Sequence, residues 1–378
     1  MARKRARLAA LLLISGLLVT GCWDSIEIND LDLASMVILD KRDGNFSFTV
    51  EVPTIMPSGS GSGGNKPQNV YLVGTGPTFV LARDSLETQL EKPLYLGTVR
   101  TLVITQDAAM NDLAEYLFRL REDFTYRQKI VLTTTRERPE ELIRFENETT
   151  SPGGFAADEM LATLESSGRT YAQSTASYVE DILNQRGFVV HCIGLVNSQL
   201  AVKGYSVFKD ANCIGYIPVE ESRGMVYLLA QKPVWIYRVP YSGGFATLKV
   251  SGTDRKIAVS YTQEGIRFGV QLKFQAVALY LSEVRSFPLT EQVKQELTEQ
   301  LALMLKTDVD GAIAQSQHTF QCDYLNFCES FRLSYPDAYE TLDWITEYPG
   351  ASIQTDLKID LVSADKMDME PPAGKRTE

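Results

Sequence analysis

Two stretches of strict alternation late in the chain constrain its fold more than any other feature. Phe268, Val270, Leu272, Phe274 and Ala276 alternate with Gly269, Gln271, Lys273 and Gln275, and Ile353, Thr355, Leu357, Ile359 and Leu361 alternate with Ser352, Gln354, Asp356, Lys358 and Asp360. A period of two puts the apolar side chains on one side of an extended strand, so each stretch reads as a half-buried strand. Between them, Pro288 and Thr290 open the longest helical pattern, in which Val293, Leu297, Leu301, Met304 and Leu305 form a single stripe. Such a stripe needs an apolar surface to cover, and packing on its own sheet is the expected outcome. Residues 266–362 are therefore read as a C-terminal α+β domain with a long helix at about 289–317. The segment 363–378 is polar and is expected to be a disordered tail.

Upstream the elements are shorter. Leu31 to Asp40 and the alternating Phe46, Phe48, Val50 and Val52 suggest a hairpin turned at Asp43-Gly44-Asn45 and ended by Pro53. A Gly/Ser-rich loop at 57–67 follows; it contains Lys66, but Pro67 stands where a phosphate-binding loop needs Ser or Thr opening a helix. Ala82, Leu86 and Leu90 mark a helix, Val99 to Thr105 a strand, Asp107 the cap of a second helix, and Ile130 to Thr134 another strand. Helices over Phe155 to Leu164 and Tyr171 to Gln185 then lead to the apolar strand Phe188 to Val196. These make residues 22–196 a mixed α/β domain. Residues 197–265 read as a small β-rich module with strands Tyr205 to Phe208, Ile214 to Ile217, Met225 to Ala230 and Val234 to Arg238. The expected class is α+β, in three mixed α/β domains of which the middle one is small and β-rich.

The N-terminus carries an address. Arg3, Lys4, Arg5 and Arg7 precede the apolar run Leu8 to Val19, and small residues lead to Gly21-Cys22. The run is shorter than the ~20 residues that span a bilayer, so residues 1–21 are read as a signal peptide removed between Gly21 and Cys22. A thiol at that point can take an S-diacylglycerol group, whose two acyl chains hold a protein on a membrane stably where one is marginal, and N-acylation of the new terminus would add a third. Cys22 is thus the candidate lipid-attachment residue, and the remainder is expected to be an exported, tethered body.

Charge and side-chain inventory narrow the function. The full chain carries −11; without the four basic residues of the signal, 33 basic stand against 48 acidic residues, a net of −15. An acidic body without a Lys/Arg stripe does not suit nucleic acid, nor adsorption to anionic lipid by charge. Cys192, Cys213, Cys322 and Cys328 lack redox-pair or zinc spacing and are expected to be mostly free, buried thiols. His191 and His318 are too far apart for a zinc-hydrolase motif; His191 lies in an apolar strand and is expected to be packed and hydrogen-bonded, while His318 suits the negative end of the long helix. Asp158-Glu159 is read as the acidic first turn of a helix rather than a catalytic pair. Asn45 and Asn147 stand in glycosylation-type triplets to which a bacterial lipoprotein signal gives no role. No serine-hydrolase elbow is present. No catalytic, metal or cofactor-binding residue is assigned, and no cofactor is expected beyond the covalent lipid.

Several segments resemble one family in order along the chain. Cys22-Trp23-Asp24 followed by Glu27-Ile28-Asn29-Asp30-Leu31 is similar to the mature start of the Ger(x)C spore-germination lipoproteins. The likeness continues at Leu94-Tyr95-Leu96-Gly97 with Arg100 to Ile104, at Arg119 to Lys129, at Gly204 to Lys209, Gly215 to Ile217 and Glu221 to Gly224, and at Gln321, Asp323, Phe327, Tyr335-Pro336 and Trp344. The chain departs at Thr98, where a histidine is common, at Asn326 and Cys328, in a stretch where a glycine is usual, and at Ala338, where a tryptophan is frequent. It is read as a divergent member. The resemblance implies the non-enzymatic C subunit of a germinant receptor: three mixed domains, anchored through Cys22 on the outer face of the inner spore membrane, with A and B subunits as companions. The alternatives weighed are a lipid-anchored solute-binding protein, which calls for two matched lobes around a cleft, and an exported hydrolase, for which no nucleophile and base are in view.

Overall fold

The computed structural model describes residues 27–55, 67–111, 113–114, 116–118, 126, 129–144, 151–282, 289–362 and 368–369. The signal segment, Cys22, the Gly/Ser loop up to residue 66, and Asn147 lie outside them.

Along the first half run β1 (Asp32–Leu33), β2 (Met36–Arg42), β3 (Asn45–Ile55), β4 (Pro67–Gly76), α1 (Phe79–Glu87), β5 (Leu94–Tyr95), β6 (Thr101–Thr105), the one-turn α2 (Gln106–Ala109), β7 (Val131–Thr135), α3 (Pro139–Leu142), α4 (Gly153–Ser166), α5 (Thr175–Leu183), β8 (Phe188–Val196), β9 (Gln199–Lys209) and β10 (Asn212–Pro218). Eight of these strands form one sheet in the order β10-β9-β8-β7-β6-β2-β3-β4. Its centre is parallel, β2 beside β6, β6 beside β7 and β7 beside β8, while the hairpin strands at either end are antiparallel. A parallel centre is covered on both faces, which is why Met36-Val37-Ile38-Leu39 reads as a continuous apolar run. Val37, Leu39, Leu102 and Ile104 enter one core with residues of α1, α2 and α5, whereas Met36, Ile38 and Val103 enter another with Leu142 and Ala157.

The second half contains α6 (Arg223–Leu229), β11 (Val234–Tyr241), β12 (Gly244–Thr262), β13 (Gly265–Leu281), α7 (Glu291–Ala314), α8 (Phe327–Ser334), α9 (Pro336–Thr341), α10 (Trp344–Glu347), β14 (Ser352–Val362) and β15 (Asp368–Met369). The sheet order is β11-β12-β13-β14, with β15 also beside β13. The two alternating stretches are neighbours: β13 and β14 pair in parallel with Leu272 opposite Leu357 and Phe274 opposite Ile359, so their apolar faces coincide. The connection between them includes α7, whose Leu297, Leu301, Leu305 and Val309 are buried against that face. Each such side chain contributes about 1.5–3 kcal/mol when fully buried. A π-type turn, Gln315–Thr319, ends the helix, and its buried Gln317 donates to the carbonyls of Tyr348 (3.1 Å) and Ala351 (2.7 Å), fixing where β14 begins.

The class is α+β, as expected. The stretch 197–265 is strand-rich, but its strands are shared out: β9 and β10 extend the eight-stranded sheet, and β11 and β12 belong to the five-stranded one. The two sheets meet in one continuous core, where Val189, Tyr205, Val207 and Ile217 pack with Met225 to Leu229 and the inner face of β11 to β13.

Several local expectations are corrected. Met225 to Leu229 is helix rather than strand; all its residues are buried, and an apolar run surrounded by core carries no periodicity to distinguish the two. Gly224 makes the crossing with α7 possible, since a Cβ there would stand 1.9 Å from the Asp308 carbonyl oxygen. Pro53 does not end its strand: β2 stops pairing at Glu51, and beyond it β3 continues beside β4 alone, where one edge is free of ladder bonds. The cap of α2 is Thr105, whose hydroxyl accepts from the Ala108 amide, not Asp107. Asp158 and Glu159 lie in the second turn of α4, where Asp158 pairs with Arg100 at 3.2 Å. Within the polar tail, Asp368–Met369 pairs with Tyr280 and Leu281.

Candidate functional site

The one residue given a chemical role by the sequence, Cys22, lies outside the described residues, so the structure presents the surface from which the chain leads back to it. That surface is a corner at the amino ends of β2 and β6. A 3-10 turn, Ile28–Asp30, precedes β1, and β1 pairs with β5. Lys92 Nζ donates to the Asn29 carbonyl at 2.7 Å, the Asp32 amide to Pro93 O at 3.0 Å and the Ala34 amide to Tyr95 O at 3.1 Å. These bonds hold together two residues with exposed apolar surface, Ile28 at 64% and Tyr95 at 44% exposure.

The opposite ends of the same strands open into a cleft of about 610 Å³ lined by residues including Asp40, Arg42, Thr105, Arg136, Glu137 and Arg138. The carboxyl ends of parallel strands are where open α/β sheets hold ligands. Here the charges are engaged in different ways. Asp40 accepts from Thr105 Oγ1 at 2.6 Å and pairs with Arg42 Nε at 3.0 Å. Glu137 Oε1 accepts from the Leu195 amide at 2.7 Å, while its Oε2 has no hydrogen-bond partner, and the Arg136 guanidinium lies 4.8 Å from the centre of the Tyr216 ring. The lining is charged rather than apolar, unlike most small-molecule pockets, and its hydroxyl–carboxylate pair, Thr105 with Asp40, is buried with the carboxylate also held by Arg42.

Two further carboxylates are buried and act as internal caps. Glu51, 1% exposed, accepts from the amides of Gly153 (2.8 Å) and Gly154 (2.9 Å), from Ser35 Oγ (2.5 Å) and from Tyr71 Oη (3.0 Å). It supplies the anion at the start of α4 that Pro152 cannot supply as a side-chain cap. Asp323 does the same for α8, accepting from the amides of Phe327 (3.0 Å) and Cys328 (2.6 Å) and from Trp344 Nε1 (3.1 Å). Burial raises its pKa and these donors oppose the rise. Three members of the terminal pattern singled out in the sequence, Asp323, Phe327 and Trp344, thus meet in one structural motif. Beside it Arg186 reaches from the first half of the chain to Glu329 at 3.5 Å. Neither acid was singled out for chemistry from the sequence, because an isolated carboxylate has no spacing to read; the available signal was a Pro-Gly-Gly helix start without a side-chain cap.

The remaining candidates are chemically quiet. His191 is buried, its ring 5.0 Å from that of Tyr205, with Nε2 unpartnered rather than hydrogen-bonded as expected, and burial lowers its pKa to about 4. His318 is exposed in the π-type turn. Cys192, Cys213, Cys322 and Cys328 are free and buried, and burial pushes Cys192 up to about 11 and Cys322 up to about 12. Thiols so protonated are poor nucleophiles. Among the described residues no group of three or more His, Cys, Asp or Glu is placed to hold a metal, and no helix is long and apolar enough to cross a membrane.

Known proteins place this architecture. Residues 24–195 match the family described as spore germination protein N-terminal domain, and residues 203–364 the family described as spore germination B3/GerAC like, C-terminal. The chain is similar to the putative spore germination protein YfkR of Bacillus subtilis, 21% identical over 70% of this chain and 72% of the relative. It is also similar to spore germination protein KC of the same organism, 20% identical over 91% of this chain and 92% of the relative. The crystal structure of the GerBC protein superposes with a TM-score of 0.56 at 11% identity, covering 86% of this chain and 96% of that one, a likeness of fold. Matched in order by both parts over residues 24–195 and 203–364, the chain belongs to the GerAC-like family of spore germination proteins.

Proposed function

We propose that this protein is the lipid-anchored C subunit of a nutrient germinant receptor, without catalytic activity of its own, acting in assembly of the receptor or in passing on its signal. The observation that carries the reading is the match of both family parts, in order, over most of the chain. Its companions are receptor A and B subunits in the membrane. Its place is the outer face of the inner spore membrane, held through S-diacylglycerol on Cys22 after cleavage behind Gly21. The buried, protonated thiols and the neutral His191 support a role in binding other proteins rather than in turnover. A solute-binding protein calls for two matched lobes, whereas the two sheets here differ in strand number and in topology.

The test is a pair of strains. Cys22→Ala should leave the precursor unlipidated and move the protein out of the membrane fraction, and deletion of the gene should abolish the response to one nutrient class while lowering the membrane levels of the companion subunits. Unchanged fractionation of the substituted protein removes the anchor from the reading. A deletion strain with normal nutrient responses and normal companion levels, in a background without a redundant receptor, removes the receptor role.

A further inference from the structure

The length of chain between Cys22 and the body, and the chemistry of the corner where it arrives, fix how the body meets the membrane. Ile28 is six residues beyond Cys22. A chain reaches at most about 3.6 Å per residue, so Ile28 lies within about 22 Å of the proposed anchor. The headgroup layer over the hydrocarbon is itself roughly 5–7 Å deep, which brings the corner within a few side-chain lengths of the bilayer surface.

The corner is built to be rigid and partly apolar. Ile28, Pro93 and Tyr95 are exposed. The Tyr95 ring lies over Gly97, where a Cβ would stand 2.6 Å from it, and the Lys92 to Asn29 bond ties the segment carrying Ile28 to the segment carrying Tyr95. Glu27, Asp30 and Glu91 outnumber Lys92 in these segments, so anionic lipid repels the corner rather than attracting it. What remains to engage the membrane is apolar and aromatic surface, and tyrosine with its apolar body and polar tip suits the headgroup level.

We propose that the corner formed by Ile28, Pro93 and Tyr95 rests in the headgroup layer of the bilayer. The body then stands with the amino ends of β2 and β6 on the membrane. The seven residues of β2 extend about 23 Å away from it, so the polar cleft at the carboxyl ends faces outward, open to partners. This orientation rests on Cys22 being the anchored residue, and its test supplies the anchor chemically so that the two can fail separately.

The mature chain beginning at Cys22 is coupled through that thiol to maleimide-bearing lipid in phosphatidylcholine vesicles, and in parallel to a soluble maleimide; the other four thiols are buried. Amide hydrogen exchange over residues 27–33 and 92–98 should slow at least about threefold on vesicles, while residues 40–45 and 105–111 exchange as in solution. The double variant Ile28→Asp, Tyr95→Asp should lose the slowing while β2 and β6 keep their protection. Equal exchange of the corner in both preparations, or slowing confined to the cleft end, overturns the proposal. Slowing that increases with anionic lipid refutes its apolar basis, and slowing that requires an added membrane subunit assigns the corner to a protein partner instead. Loss of lipidation in the cell is read independently by fractionation of Cys22→Ala.

Discussion

Glu51→Gln offers the sharpest test of how the first half of the chain is held together. Oε1 accepts from the Gly153 amide and Tyr71 Oη, and Oε2 from the Gly154 amide and Ser35 Oγ. Glutamine keeps the volume but replaces one oxygen by an NH2 group. The hydroxyl on that side can turn and accept from the new donor. The main-chain N–H cannot, so one buried amide of the Gly153-Gly154 pair is left facing another donor whichever way the side chain is placed. An orphaned buried donor costs about 1–3 kcal/mol, and loss of the charge weakens each remaining bond by about 1 kcal/mol. Removing an anion from the start of α4 costs about 0.5–1 kcal/mol more. The expected loss is about 4 kcal/mol, which lowers the melting temperature by roughly 8–16 °C for a cooperative unit of about 150–250 residues. It should appear in urea unfolding of the mature chain as a lower midpoint at unchanged slope. Ser35→Ala and Tyr71→Phe each remove a donor and leave the carboxylate its two amides, so each should cost about 1.5–3 kcal/mol, less than Glu51→Gln. A loss below about 1 kcal/mol for Glu51→Gln, or an equal loss for the hydroxyl deletions, refutes the assignment of Glu51 as the cap of α4.

Other outcomes follow from the same geometry. His191 is held neutral by burial, with a pKa lowered from 6.5 to about 4, so the unfolded chain binds the extra proton first. Its contribution to stability is present above pH 6.5 and is lost as pH falls towards 4, by up to about 3 kcal/mol. Asp181, raised to about 6 by burial, acts in the opposite sense, its contribution present below 3.8 and lost as pH rises through 6. His191→Leu should therefore flatten the acid side of a plot of urea midpoint against pH; an unchanged slope refutes the assignment. Gly224→Ala would raise helix propensity by about 1 kcal/mol at a tolerant site but should here destabilise by about 3 kcal/mol, because its Cβ meets the Asp308 carbonyl; a stabilised variant in thermal unfolding disproves the close crossing. Cys192, Cys213, Cys322 and Cys328 should be silent to an aromatic disulfide reagent in the native chain and react in denaturant, and rapid native reaction at any of them contradicts their burial.

Much of the fold was legible because the signals are local. The alternation at Phe268 to Ala276 and Ile353 to Leu361 depends only on which side of a strand each residue faces, and the Leu297, Leu301, Leu305 stripe only on helical pitch. Asp43-Gly44 turns the first hairpin with positive φ at both residues, as its composition predicted. Of the candidate site, the sequence offered only the proposed signal segment and Cys22, because an export-type signal is a short linear pattern that needs no fold to be seen.

What tertiary structure alone decided is non-local. Met225 to Leu229 became helix because core surrounds it on every side, leaving no polar face whose period could be seen. The strands between 199 and 262 look alike in sequence yet join different sheets: β9 and β10 extend from β8, whereas β11 and β12 lead into β13, and the buried helix α6 separates the two sets. Glu51 and Gly153-Gly154 are about a hundred residues apart, and their bond is invisible until the sheet and helix meet. The sequence by itself determined the periods and the turns, and it suggested the proposed lipid address. The fold decided which buried carboxylates serve as caps and how the segment carrying Ile28 meets the one carrying Tyr95, because both depend on contacts between segments with no shared local pattern.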